Sequence, residues 1–356
     1  MKKLLLFFAA LLLCSLAHSQ EAEENGKYAE FQLIPRFDFN PYFTPGNTGD
    51  GSSGFTFGNS SIYTLVEGAF SEHVAFTLSN HWAAMTTPGF GDTKALFYNE
   101  DSGAPQLFYS NTNNWLDIAK VDFTFGNWTF TVGKDCLASG GFEYDDWDVD
   151  VDYLLSGDKV LLASNLWYNL PSYQWGASVG YSIGDHTNLQ VQMVTSPFGE
   201  RSFASGLFSY SGKLSGNYGP FSNMWSASAI QRADGGTEWL ISLANKLEFA
   251  EDFTFGFDWY NMADVEYDDD DCPSGLLDGN TFRASLAWAP EDWCDVKLVG
   301  NIYEAFGTLY DANVAAAFHY YPFEWMQLHT ALGWDYFTKS FSGMAGVKIN
   351  FTFLSL

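Results

Sequence analysis

The chain has 356 residues, and its 43 acidic residues against 16 basic ones give a formal charge of −27. That charge excludes a nucleic-acid binder working through a phosphate-neutralising surface. The 33 Phe, 19 Tyr and 13 Trp, with 17% charged residues, exclude general disorder. Mean hydropathy is −0.11 although 47% of residues are hydrophobic, so the apolar residues are dispersed rather than clustered.

Residues 1–19 read as an export signal peptide. Lys2 and Lys3 form its charged start, Leu4 to Leu13 its apolar run, and Ala17-His18-Ser19 a small-x-small cleavage site before Gln20. The apolar run is too short for a membrane anchor, which needs about 20 residues. Cys14 follows Leu13 rather than a small residue, which argues against lipidation. Residues 20–27 would form a short periplasmic segment. Beyond them no stretch reaches about 18 consecutive apolar residues, which excludes a transmembrane helix. An exported soluble protein or an outer-membrane β-barrel spanning 28–356 remains.

Period-2 alternation runs along the whole chain. It predicts sixteen strands, at 28–39, 60–70, 73–82, 115–125, 128–134, 172–183, 188–196, 203–213, 221–232, 237–249, 253–262, 280–289, 294–306, 312–321, 326–337 and 342–353. In one of them Phe253, Phe255, Phe257 and Trp259 share a face opposite Thr254, Gly256, Asp258 and Tyr260. Short turns at Ser71-Glu72-His73, Gly126-Asn127, Gly184-Asp185-His186, Ala250-Glu251-Asp252, Pro290-Glu291-Asp292 and Phe323-Glu324-Trp325 alternate with longer connections. Residues 159–168 could form another strand but are assigned to a loop, because the later short turns would otherwise face the wrong way. Trp115, Trp128, Trp175, Trp239, Trp293 and Trp325 lie near strand ends, where interfacial girdles sit. A soluble sandwich alternates too, yet sixteen faces rich in Phe, Trp and Leu would overfill one soluble core. The expected fold is therefore all-β: a transmembrane antiparallel up-and-down barrel of about 16 strands, with short periplasmic turns, long extracellular loops and a water-filled lumen.

The strand–turn rhythm resembles Gram-negative porins of the Bacteroidota type, in particular the phosphate-selective porins O and P. The local cues are Phe130-Thr131-Val132-Gly133-Lys134, leading into the longest loop, and Asn188-Leu189-Gln190-Val191-Gln192-Met193-Val194, following a short turn. The resemblance implies an outer-membrane barrel, often a homotrimer, whose third loop folds inward to narrow the pore. It also implies assembly by the barrel-assembly machinery on a terminal aromatic signal. Here Phe351 and Phe353 are followed by Leu354-Ser355-Leu356. The chain also has too few Lys and Arg for the basic ladder of phosphate-selective members.

Assigning strand faces gives the expected pore lining. The basic set is Arg36, Lys120, Lys246, Arg283, Lys297 and Lys348; the acidic set is Asp38, Glu67, Asp122, Glu248, Asp258, Asp295 and Asp335. The sets nearly balance, so the acidity comes from the loops. Loop 135–171 carries Glu143, Asp145, Asp146, Asp148, Asp150 and Asp152, and loop 263–279 carries Asp264, Glu266 and Asp268 to Asp271. If loop 135–171 folds inward, its carboxylates make a cation-preferring constriction; alternatively the runs are solvated surface. Asp148, Asp150 and Asp152 alternate and could meet a hard cation such as calcium, although the spacing is not that of an EF-hand.

Cys136 and Cys272 fall on the same side of the expected topology and form the candidate disulfide, with Cys294 at the opposite rim. His81, His319 and His329 could face inward, but no Ser-and-acid spacing accompanies them. The expectation is a porin with no enzyme activity and no cofactor, passing small hydrophilic solutes or ions across the outer membrane. A non-transporting barrel displaying its loops to glycans, metals or cells is the alternative, and an anion- or phosphate-selective porin is third.

Overall fold

The computed structural model describes residues 27–45, 51–56, 60–84, 116–144, 155–156, 159–160, 162–164, 173–199, 203–262 and 279–355. In chain order its strands are β1 (Tyr28–Thr44), β2 (Ser52–Thr56), β3 (Ser61–Ser71), β4 (Val74–Ala84), β5 (Leu116–Phe125), β6 (Trp128–Cys136), β7 (Leu155–Ser156), β8 (Lys159–Val160), β9 (Tyr173–Ile183), β10 (Thr187–Thr195), β11 (Phe208–Tyr218), β12 (Phe221–Gln231), β13 (Thr237–Ala250), β14 (Phe253–Tyr260), β15 (Gly279–Glu291), β16 (Cys294–Ala305), β17 (Thr308–Phe323), β18 (Met326–Asp335), β19 (Phe341–Ile349) and β20 (Phe351–Ser355). One 3₁₀ turn, Phe142–Tyr144, follows β6.

Every wall strand pairs antiparallel with its sequence neighbour, and β1 closes the sheet by pairing with β3 on one side and with β19 and β20 on the other. Because β2 prolongs β3 and β20 prolongs β19 along β1, the eighteen segments of this sheet make sixteen staves. The result is a closed sixteen-stranded up-and-down barrel, which leaves no free edge. The separate ribbon β7–β8 belongs to the loop after β6, so this part of 159–168 lies outside the wall, as the turn parity requires.

Alternation sets the two faces. Along β18, Gln327, His329, Ala331, Gly333 and Asp335 are buried while Leu328, Leu332 and Trp334 are exposed. Outward positions elsewhere carry Phe255, Phe257, Leu286, Leu298, Val314 and Phe318, all exposed. A soluble protein buries such side chains, so the barrel is turned inside out, apolar without and polar within. Tight turns gather at one end with both termini; Gly126 and Gly184 take positive φ there, which a side chain would resist.

One strand departs from expectation. The eighth was read at 203–213 and lies at Phe208–Tyr218. Its inward row, Ser209, Ser211, Lys213, Ser215 and Asn217, is polar throughout, and its outward row includes Gly212 and Gly216. The alternation signal is weak there. The turn at Gly219 and Pro220, with Gly219 at φ 73°, fixes the register instead.

Candidate functional site in the barrel lumen

The described parts of the loop after β6, residues 137–144 and 162–164, lie inside the barrel and are fastened to its inner wall. Gln192, inward on β10, holds its start: its amide oxygen accepts the Ala138 N–H at 2.7 Å and its amide nitrogen donates to the Cys136 carbonyl at 2.9 Å. Leu137 then packs into a buried apolar cluster with Val194, Ile230, Leu240, Tyr260 and Met262. Gly141 passes close to the wall; a Cβ there would sit 2.8 Å from both the Asp258 carboxylate and the Tyr260 hydroxyl.

Glu143 is the centre of the attachment. Its carboxylate accepts the Tyr260 hydroxyl at 2.5 Å and the Ser164 N–H and hydroxyl at 2.7 Å each, and it pairs with the Arg283 guanidinium at 3.5 Å. Arg283 also meets Asp258 at 3.4 Å and donates to the Leu162 carbonyl at 3.4 Å. Asn301 on β16 donates to the Ala163 carbonyl at 3.1 Å. These groups are almost wholly buried, so each charge depends on its partners. Farther round the wall, Leu162 seats on Val299, Ala315, Ala317, Ala331 and Met344. On the other side Phe142 lies beneath the Lys246 ammonium, 5.6 Å from ring centre to nitrogen.

A belt of ionisable residues runs beside the Leu162 seat. Arg36 pairs with Asp38 on β1, Asp38 meets His329 on β18, and His319 on β17 lies 3.0 Å from Asp295 on β16. His319 and His329 face each other in register. Asp295 also accepts the Tyr321 hydroxyl at 2.8 Å, and Arg36 contacts the Met344 sulfur at 3.1 Å.

The residues expected to line the pore thus divide. Arg36, Asp38, Asp258, Arg283 and Asp335 are buried, and Asp335 accepts the Thr338 N–H at 2.7 Å to cap the β18–β19 turn. Lys120 pairs with Asp135 at 3.2 Å, and Asp122 accepts the Thr131 hydroxyl at 2.5 Å. Glu67 and Glu248 are exposed, with Glu67 opposite Glu30 in register, while Lys297 and Lys348 are half-buried. Lys348 lies opposite Arg36. Glu143, expected among the constriction carboxylates, is held in the clamp by Tyr260, Ser164 and Arg283.

Asp145, Asp146, Asp148, Asp150 and Asp152 lie outside the described residues, as do residues 1–26 and Cys272, and with them the disulfide and calcium expectations. Cys294 is a buried free thiol at the short-turn end. No group of three or more His, Cys, Asp or Glu among the described residues is arranged to hold a metal ion.

Lys213 is absent from the expected lining. It faces inward opposite Gln190 and Ser226 and makes no ion pair or hydrogen bond among the described residues. The misplaced eighth strand hid it at a strand end. Gln192, Tyr260 and Asn301 were missed too; only their inward parity in the alternation could have flagged them.

No family model matches the chain, and no curated protein matches its sequence. Solved structures do. An engineered variant of the Rhodopseudomonas blastica porin superposes with a TM-score of 0.57 at 15% identity, over 91% of this chain and 100% of that one. An anion-selective porin from Comamonas acidovorans gives 0.58 at 11% identity with the same coverage. At such identities the likeness is one of architecture. The chain has the sixteen-stranded barrel fold of the Gram-negative porins.

Proposed function

We propose that the protein is an outer-membrane porin, a channel for passive diffusion of small hydrophilic solutes or ions. The single observation that carries the reading is the fastening of the loop by Glu143 and Arg283 inside a closed barrel. A loop held against one side of the wall narrows a lumen at fixed geometry, which is what size selection requires. Lipid would cover the apolar exterior. Export through residues 1–19, insertion by the barrel-assembly machinery and homotrimer formation belong to the same reading. It assigns no catalytic step and no cofactor.

The finer reading is a cation preference, supported by Asp145, Asp146, Asp148, Asp150 and Asp152 following the clamped Glu143 in sequence. Calcium at Asp148, Asp150 and Asp152 is a subsidiary proposal, tested by channel current with and without a chelator. Kinship with the phosphate-selective porins O and P rests on strand rhythm and the two cues at 130–134 and 188–194. Lys213 favours an anion-preferring channel as the second reading.

Single-channel recording of purified protein in a planar bilayer under a salt gradient tests all of these. Stable steps with a cation-selective reversal potential, lost on neutralising Asp148, Asp150 and Asp152 to Asn, support the proposal. Anion-selective steps overturn the cation preference and return the phosphate-type reading. A folded, inserted barrel giving no steps overturns the channel and leaves a barrel that displays its loops.

A further inference from the structure

The outer wall of β14–β18 carries a depression of about 430 Å³ near the long-loop end. Ala284 and Gly300 are register partners on its floor, and Ala312 lies one row nearer the rim. Phe257 and Trp334 close its sides, and Tyr336 stands at its upper end. The charged residue beneath the floor, Arg283, turns its side chain to the lumen, where it meets Glu143.

Among the described residues nothing requires glycine at 300. Its φ is not left-handed, and of those residues an added Cβ would meet nothing closer than the Asn313 carbonyl at 3.8 Å. Glycine weakens a strand interior and marks a place where something approaches the backbone closely. Here the open side is the outside of the barrel.

We propose that this groove seats one acyl chain of an outer-leaflet lipid, an inference that rests on the membrane reading above. The groove is continuous with the uncharged exterior formed by Phe255, Leu286, Leu298 and Phe318, the surface that hydrocarbon covers in that reading. Its volume falls in the range of ligand clefts, roughly 300–1,000 Å³. At the rim, the Trp334 indole and Tyr336 phenol combine an apolar ring with a polar tip, the chemistry that settles where a chain meets its headgroup. A chain lying on Gly300 with its headgroup beside Tyr336 uses all of these features. A second copy of the protein would have to cover the surrounding wall as well, about 800 Å² per partner, and is the occupant that the oligomeric mass in the test below distinguishes.

The test compares wild type, Gly300→Leu and Gly212→Leu after reconstitution in phosphatidylethanolamine–phosphatidylglycerol vesicles, extraction in mild detergent and native mass spectrometry. Gly212 also faces outward with open space around it, so its variant adds the same side chain elsewhere on the wall. Wild type and Gly212→Leu should retain one lipid each, and Gly300→Leu should lower that occupancy at least fivefold with bilayer conductance unchanged. Equal retention in all three, or none in any while all conduct, overturns the lipid site. A change of oligomeric mass confined to Gly300→Leu, with lipid retention unaltered, makes a second copy the occupant and overturns it too. If none of the proteins inserts or conducts, the membrane reading fails, and this inference fails with it.

Discussion

Asp38 and His329 are 291 positions apart in sequence, yet their side chains meet inside the barrel across Gly346. Gly346 is the register partner of both. A Cβ at that position would overlap the Asp38 carboxylate and crowd the His329 ring and the Phe37 carbonyl. The contact thus ties the first wall strand to the penultimate stave, at the seam where the barrel closes.

Gly346→Ala should therefore destabilise the barrel by about 1–3 kcal/mol, the usual range for overpacking a filled site. The measurement is the denaturant midpoint of the purified barrel in detergent. A midpoint unchanged from wild type would mean that the seam relaxes freely and that the Asp38–His329 contact does not constrain closure.

The loop clamp predicts a change in both stability and current. Arg283→Ala leaves Glu143 and Asp258 buried without their cation and should cost about 3–5 kcal/mol. Tyr260→Phe removes one hydroxyl from Glu143 and should cost about 1–3 kcal/mol. Both should raise single-channel conductance and its noise in proportion to the loss, because the loop no longer holds one position. Conductance equal to wild type in a folded Arg283→Ala barrel would show that the clamp does not set the constriction.

Lys213 should act on selectivity rather than stability. It lies inward in register with Gln190 and Ser226 and has no acidic partner among the described residues. Lys213→Glu should shift the reversal potential towards cations. The shift should shrink as salt is raised from about 0.1 M to about 1 M, where the screening length falls from roughly 10 Å to 3 Å. A potential that does not move would place Lys213 away from the ion path.

Cys294 is 6% exposed at the foot of β16. In a Cys136→Ser, Cys272→Ser background it should resist a maleimide reagent in the folded barrel and react fully once the barrel is denatured. Fast labelling of the native protein would mean that the β15–β16 hairpin opens.

Strand count, parity and the two faces were legible because each depends only on period-2 alternation and turn residues, both local properties. The eighth strand shows the limit. With Ser, Gly and Lys in place of a clear apolar row, its position is set by pairing to β10 and β12 rather than by its own pattern. The lumen map was legible at the level of direction alone. Arg36, Asp258 and Arg283 face inward as expected, but whether they meet water depends on what lies over them.

The sequence by itself determined that this chain alternates about sixteen times, with one apolar and one polar face to each strand; that the apolar face lies outside followed from the amount of Phe, Trp and Leu, not from the alternation. Only the tertiary structure decided which of the inward charges are paired. Glu143, one of six acidic residues between 143 and 152, is paired with Arg283 from a strand 140 residues later, whereas Lys213 on the wall has no ion-pair partner among the described residues. Alternation is a property of neighbours along the chain and survives in the sequence. Ion pairing depends on distances of 3–4 Å between strands and loops far apart in sequence, and those distances exist only once the barrel has closed.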